Sequence, residues 1–331
     1  MVTNRKIKNS VIAVIGGAGF IGSHLVSELL NQNAKKIIVI DNLFLGEKRN
    51  LIHFSKQKVK TYIEDAEHLS NIEYIFNKYD IDIVFNLATK ALNHSFVSPA
   101  SAFSVNTNIV INLLELLRKK KFNSLCHFST SEVYGSYINS SMSESHPINP
   151  TTTYAAGKAA ADHAVKSYVD MFDIDAFIIR PFNNFGPRQN YVGKLAGVIP
   201  ITISRIMENK PPIIKGNGEQ TREFIYVNDT VKLTLELIKN VKPGECVNLS
   251  SDGELSIITL IDKISQHLNY KGDFIFETDR PADVKKHSAN NKKLKTLISN
   301  YRVTPFDDAL KQTINWYIDE FRNYKINKAS Y

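Results

Sequence analysis

The feature that most restricts this chain is the apolar run Val11 to Gly16 and the turn it enters, Gly16-Gly17-Ala18-Gly19-Phe20-Ile21-Gly22. A continuous apolar run reads as a strand buried on both faces, as at the centre of a parallel sheet. Glycines at 16, 19 and 22 permit a tight turn and close backbone approach. Ile21 to Leu30 then repeats apolar residues at helical spacing. Strand, glycine turn and helix in that order leave the first helical amides free for an anion. The next run, Lys36 to Ile40, ends at Asp41. That is about 20 residues past the glycines, where a carboxylate grips the hydroxyls of an adenosine ribose. A carboxylate there repels a ribose 2′-phosphate, so the pattern points to NAD rather than NADP. Gly16, Gly19, Phe20, Ile21, Gly22, Asp41 and Asn42 are the expected contacts.

Further runs follow at Val59 to Ile63, Ile81 to Leu87, Ser124 to Phe128 and Ile174 to Arg180, with helical patterns between them such as Ile109 to Leu117. This alternation predicts βαβ units and an α/β Rossmann fold, a doubly wound parallel sheet covered on both faces. After Pro181 the texture changes. Asn183-Asn184, Gly186-Pro187, Pro211-Pro212 and Gly216-Asn217-Gly218 are turn signals, interleaved with amphipathic segments Val231 to Ile238 and Ile257 to Leu268. We expect a cofactor domain over 1–181 and a smaller α/β C-terminal substrate lobe over 182–331, the two interleaving.

The formal charge of +8 allows a phosphorylated substrate, a membrane surface or nucleic acid. The densest basic run, Arg118 to Lys121, falls where a helix should end, and cations suit a helix C-terminus. We therefore expect no nucleic-acid or membrane partner. Cys126 and Cys246 form no metal-binding spacing, so no metal is expected, and two unmatched cysteines point to a reducing compartment. Arg5, Lys6 and Lys8 before an apolar run imitate a signal peptide, but Val11 to Ile15 is shorter than a signal core of ~7–15 residues. No apolar run looks like a span of ~20 residues. The expected location is the cytoplasm.

Tyr154-Ala155-Ala156-Gly157-Lys158 places Tyr154 and Lys158 on one helix face, with Pro150 and Thr151 to Thr153 as a start signal. A phenol is normally too weak an acid to serve as a base near neutral pH. A neighbouring ammonium and an oxidised nicotinamide would both favour its phenolate. Just beyond the fifth strand lies Ser129-Thr130-Ser131-Glu132-Val133-Tyr134-Gly135, at the strand ends where ligands bind in open α/β sheets. Thr130 is placed to hydrogen-bond a reacting hydroxyl. Glu132 is either a second acid or base, or a carboxylate that starts a turn.

These residues resemble the extended short-chain dehydrogenase/reductases, in the branch of nucleotide-sugar epimerases, dehydratases and decarboxylases. The likeness runs nearly end to end. It rests on the glycine turn, the Ser129 segment, the Tyr154/Lys158 pair, Arg-Pro-Phe-Asn-Asn-Phe-Gly-Pro-Arg-Gln from Arg180, Gly-Asn-Gly-Glu-Gln-Thr-Arg-Glu-Phe-Ile-Tyr-Val from Gly216, and Arg-Pro-Ala-Asp-Val from Arg280. The resemblance implies that Asp65 touches adenine, that Ala66, Leu87 and Ala88 line the cofactor groove, and that Pro181 packs near the nicotinamide. It implies that Tyr154 is the base, that Lys158 holds the nicotinamide ribose, and that Asn183, Arg222 and Arg280 take the substrate's diphosphate end. Val198 matches a segment that runs along the nucleobase, and a homodimer is implied. Asn86-Leu87-Ala88-Thr89-Lys90 departs from the frequent His-Leu-Ala-Ala and puts a lysine near the nicotinamide side, and Phe185 replaces a frequent tyrosine.

Three reactions of this branch begin with the same oxidation. A 4-epimerase returns hydride to the other face of a keto-sugar. A 4,6-dehydratase loses water from C6 after a base takes the C5 proton. A decarboxylase loses carbon dioxide from a uronic acid. Thr130-Ser131-Glu132 resembles dehydratases and decarboxylases, although dTDP-glucose dehydratases carry Asp at the Ser131 position. The later segments, with Phe224 where dehydratases often have Trp, resemble epimerases. The balance favours the 4-epimerase, then the dehydratase using Glu132, then a UDP-glucuronate-type decarboxylase or a net dehydrogenase. A non-catalytic dinucleotide- or RNA-binding protein of this fold is the alternative from another class. Retention of Tyr154 and Lys158 argues against it.

Overall fold

The computed structural model describes residues 5–138, 141–279, 284 and 286–329, with 323–329 in backbone only. Seven parallel strands form the main sheet, and they arise where β-branched and aromatic residues run together. In chain order the first half comprises β1 (Val11–Ile15), α1 (Phe20–Asn31), β2 (Lys36–Ile40), β3 (Val59–Tyr62), α2 (Leu69–Phe76), β4 (Ile81–Asn86), α3 (Pro99–Arg118), β5 (Phe122–Phe128), α4 (Thr153–Phe172) and β6 (Ala176–Pro181). The second half comprises β7 (Asn183–Phe185), α5 (Val198–Met207), β8 (Ile213–Lys215), β9 (Thr221–Tyr226), α6 (Val227–Leu237), β10 (Cys246–Leu249), β11 (Glu254–Ser256), α7 (Ile257–His267), β12 (Ile275–Glu277), β13 (Lys286–His287), α8 (Lys292–Leu297) and α9 (Phe306–Ala329).

The main sheet has the order β10-β6-β5-β4-β1-β2-β3. Its central strands are buried on both faces, which is why they read as unbroken apolar runs. Val14, Val39 and Phe85 face a core that includes Leu25 and Leu29 of α1 and Leu235 of α6. Their neighbours Ala13, Ile38 and Val84 face Ile72 of α2, Leu113 of α3 and Val165 of α4. Burying one such side chain stabilises the fold by about 1.5–3 kcal/mol.

The chain does not divide cleanly at residue 181. Cys246–Leu249 returns to the sheet and pairs with β6, and α6 covers the α1 face, so the seventh strand comes from the C-terminal half. The substrate lobe centres on β9, which pairs antiparallel with β11 and parallel with β13 and β7. A third apolar cluster, including Phe185, Ile203, Ile261 and Tyr317, joins these strands to α5, α7 and α9.

Helix α3 begins at Pro99, ten residues before the pattern first shows it. Asn106, inside this helix, is buried and bonds Thr89 Oγ1, the Lys90 backbone and the Ala102 carbonyl. The 20 residues of α3 are long and apolar enough to cross a membrane, contrary to the expectation that nothing is. Half of that apolar window is buried inside the fold, against the sheet and α4.

Candidate active site

Two connected cavities open at the C-terminal ends of the parallel strands. The larger, about 360 Å³, runs across β1, β2 and β4. Its walls include Gly16, Gly19, Phe20, Ile21 and Gly22 of the turn, Asp41 and Asn42 after β2, and Asp65 and Ala66 after β3. Leu87 and Ala88 after β4, Pro181 of β6, and Tyr154 and Lys158 of α4 complete the set expected for the cofactor. A smaller cavity, about 280 Å³, is lined by Thr130, Ser131, Glu132, Asn183 and Val198. Tyr154 and Thr130 line both.

The glycine turn has the shape its residues demand. Gly16 sits at φ +79°, in the left-handed region, and a Cβ there would lie 2.7 Å from the Ala88 nitrogen. A Cβ on Gly22 would strike the Gly16 carbonyl oxygen. No side chain caps α1 at Gly19, so its first amides remain open to the cavity. Asp41 Oδ2 accepts from the Ala18 amide at 2.9 Å and Oδ1 from the Leu43 amide at 2.8 Å, and burial raises its pKa against these bonds. Asn42 donates to Asp65 at 2.8 Å, which ties the two loops together.

Helix α4 starts at Thr152, whose hydroxyl accepts from the Ala155 amide at 3.2 Å. The Tyr154 amide donates to Ser95 Oγ at 2.9 Å, which fixes the first turn. Burial pushes the Tyr154 phenol up to about 12, while hydrogen bonds with Thr130 and Thr89 pull the other way. Lys158 is drawn down to about 8 by burial, opposed by Asp162. Its Nζ donates to the Phe128 carbonyl at 2.9 Å. The ammonium is thus held at the C-terminal end of β5, an inner strand, and the phenol is governed chiefly by burial.

Thr130 caps the short turn Ser131–Tyr134 through the Glu132 amide at 3.2 Å. The Glu132 carboxylate stands 4.0 Å from His287 Nδ1. His287 is fully buried, meets the Ser131 carbonyl through Nε2 at 3.2 Å and packs on Phe182 at 5.0 Å. Burial lowers its pKa, opposed by Glu132. Sequence reading missed this histidine, because only the pairing of β13 with β9 brings it to the site.

The expected diphosphate residues are placed unevenly. Asn183 lines the smaller cavity and donates to the Glu223 carbonyl at 3.0 Å. Arg222 is buried beside His287 in the β9–β13 register, with Nη1 on the Thr221 carbonyl at 2.9 Å, and lines neither cavity. Arg280 lies outside the described residues. Lys90, expected near the nicotinamide, has its ammonium 3.4 Å over the ring of Phe44, in the loop after Asp41. No cluster of three or more metal-ligating side chains occurs among the described residues.

Residues 12–250 match the NAD dependent epimerase/dehydratase family. The chain belongs to that family. Its relatives of both reaction types resemble this chain. The chain is 33% identical over 308 residues to a putative UDP-glucose 4-epimerase of Methanocaldococcus jannaschii, covering 92% of this chain and 98% of that one. It is 32% identical over 335 residues to the dTDP-D-glucose 4,6-dehydratase of Homo sapiens, covering 96% and 93%. The solved UDP-N-acetylglucosamine 4-epimerase of Methanobrevibacter ruminantium, in complex with UDP-N-acetylmuramic acid, superposes with a TM-score of 0.87 at 31% identity, covering 95% and 99%.

The epimerase/dehydratase family uses NAD, and solved relatives hold it. The larger cavity fits that group. The closely packed glycines, the uncapped α1 amides and the Asp41 carboxylate suit a pyrophosphate and a ribose, and Val105 and Ile109 add apolar wall.

Proposed function

We propose that the chain is a nucleotide-sugar 4-epimerase acting through a transient 4-keto-sugar. The proton-transfer groups around the smaller cavity carry this reading. Dehydration asks for a base at C5 and an acid for the departing C6 hydroxyl, besides the group that serves the C4 hydroxyl. Epimerisation asks only for the last. Among the described residues, the lining of the smaller cavity offers Tyr154 and a single carboxylate, Glu132, while Ser131 supplies a buried hydroxyl.

In this reading NAD supplies the acceptor and donor of hydride. Tyr154 Oη takes the proton of the C4 hydroxyl and later returns it. Thr130 hydrogen-bonds the same oxygen and orients it. Lys158 positions the nicotinamide ribose. Asn183 and Val198, which line the smaller cavity, hold the nucleotide end. The smaller cavity gives the keto-sugar room to present its other face. The same reading makes the protein a homodimer through α3 and α4, whose outer faces expose Phe103, Ile111, Met171 and Phe172.

The dehydratase is the second reading. It is favoured by the position of Glu132 on the smaller cavity with His287 behind it. Glu132→Gln separates the two. As an epimerase the variant should keep turnover within about tenfold. A dehydratase would lose roughly 10²–10⁴-fold with its C5 base. Mass spectrometry of UDP-, GDP-, dTDP- and CDP-sugars incubated with the wild type decides the reaction. Unchanged mass with altered mobility is expected, and loss of water or carbon dioxide would overturn the epimerase.

A further inference from the structure

We propose that Arg188 is a cofactor-binding residue whose guanidinium grips the diphosphate of NAD together with the amides that open α1. Arg188 lines the larger cavity and not the smaller one. Its Nη1 is buried and has no hydrogen-bond partner, and no carboxylate forms an ion pair with it among the described residues. Burial lowers its pKa with no acid to offset it. A guanidinium amino group out of water without an acceptor is strongly unfavourable. Its place in the wall of a ligand cavity makes a ligand anion the missing acceptor.

The loop that carries it is built rather than loose. Arg188 adopts φ +65°, a left-handed conformation that a branched or bulky residue rarely takes without support. The preceding carbonyl, of Pro187, meets His24 Nε2 at 3.0 Å. His24 belongs to α1, one turn past Phe20, and burial draws it down to about 4, so the ring is neutral and Nε2–H donates. The loop is therefore docked on the helix whose first amides face the same cavity. An open helix N-terminus and a planar five-donor cation thus border one cavity, and bidentate pairing with a phosphate suits arginine. Asp41 serves the other polar end of the same nucleotide.

The test is calorimetric binding to nucleotide-free protein with NAD, ADP and adenosine as probes. Arg188→Gln should weaken NAD and ADP by about 10- to 100-fold, the equivalent of a charge-assisted bond. Adenosine should bind within twofold of the wild type, which also shows that the variant is folded. Arg188→Lys should recover part of the loss, because it restores charge without the fork. NAD affinity of Arg188→Gln should depend less steeply on salt. Equal weakening of adenosine and NAD would assign Arg188 a structural role and overturn the proposal. So would wild-type NAD affinity in the variant, or, with UDP as a fourth probe, a loss confined to UDP. These readouts do not depend on whether the enzyme epimerises or dehydrates.

Discussion

Tyr154→Phe should lower turnover by roughly 10²–10⁴-fold while the fold and NAD binding survive. The phenylalanine keeps the ring in place, and the amide bond to Ser95 that anchors the first turn of α4 is untouched. What disappears is one hydroxyl, which lies between Thr130 and Thr89 and opens on both cavities. No other titratable side chain lines both cavities among the described residues. The pH profile should carry the same signature. Burial raises the phenol to about 12 in the protein alone, so its base form is scarce near neutrality. Turnover of the wild type should rise with pH, and the residual rate of the variant should not. Single-turnover assays across pH, with NAD titration and circular dichroism as controls, check this. A variant with near wild-type rates would remove Tyr154 from the mechanism.

How far the sequence reveals this protein depends on whether a feature is local. The β1 turn, Asp41 and the Tyr154/Lys158 spacing are local, because strand, turn and helix are each written in consecutive residues. All of them reach one cavity. Strand β10 is four residues long and owes its place to β6, which lies far back in the chain. No local pattern signals that pairing. The first half of α3 was hidden by Asn106, Thr107 and Asn108, polar residues that blur helical periodicity. Asn106 is nonetheless buried, because its amide satisfies the backbone of the Lys90 loop. Lys158 shows the limit of spacing arguments. Residues at i and i+4 share a face, yet the Lys158 ammonium is held on the Phe128 carbonyl. His287 was invisible, and Arg188 was legible only as part of the Arg180 motif with no role of its own, for a common reason. Each gains its meaning from burial against a distant element, β13 against β9 in one case and the Pro187 loop against α1 in the other.

Arg180→Met should destabilise the protein by about 3–5 kcal/mol, the usual result of removing one partner of a buried ion pair. Arg180 is 1% exposed and lies under the active site. Its Nε and Nη2 donate to Asp162 at 2.9 and 2.8 Å, and its Nη1 donates to Tyr134 Oη at 2.8 Å. Tyr134 Oη in turn donates to Asn248 Oδ1 of β10 at 2.7 Å, and Ser129 also donates to Asp162 at 2.9 Å. One guanidinium therefore joins β6, α4, the Ser131–Tyr134 turn and the last strand of the sheet. Methionine fills much of the volume but leaves Asp162 charged and buried, and burial already raises the pKa of that carboxylate more than Arg180 lowers it. Urea unfolding of Arg180→Met, Tyr134→Phe and the pair Arg180→Met/Asp162→Leu distinguishes charge from packing. Tyr134→Phe should cost only about 1 kcal/mol, a neutral hydrogen bond. The double variant should regain part of the Arg180→Met loss, since the two partners of the ion pair leave together, and only part, since buried Lys158 then loses the carboxylate that opposes its burial. If it does not, the shape of the guanidinium rather than its charge holds these elements together. The Ser131–Tyr134 turn that carries Glu132 would then be set by packing alone.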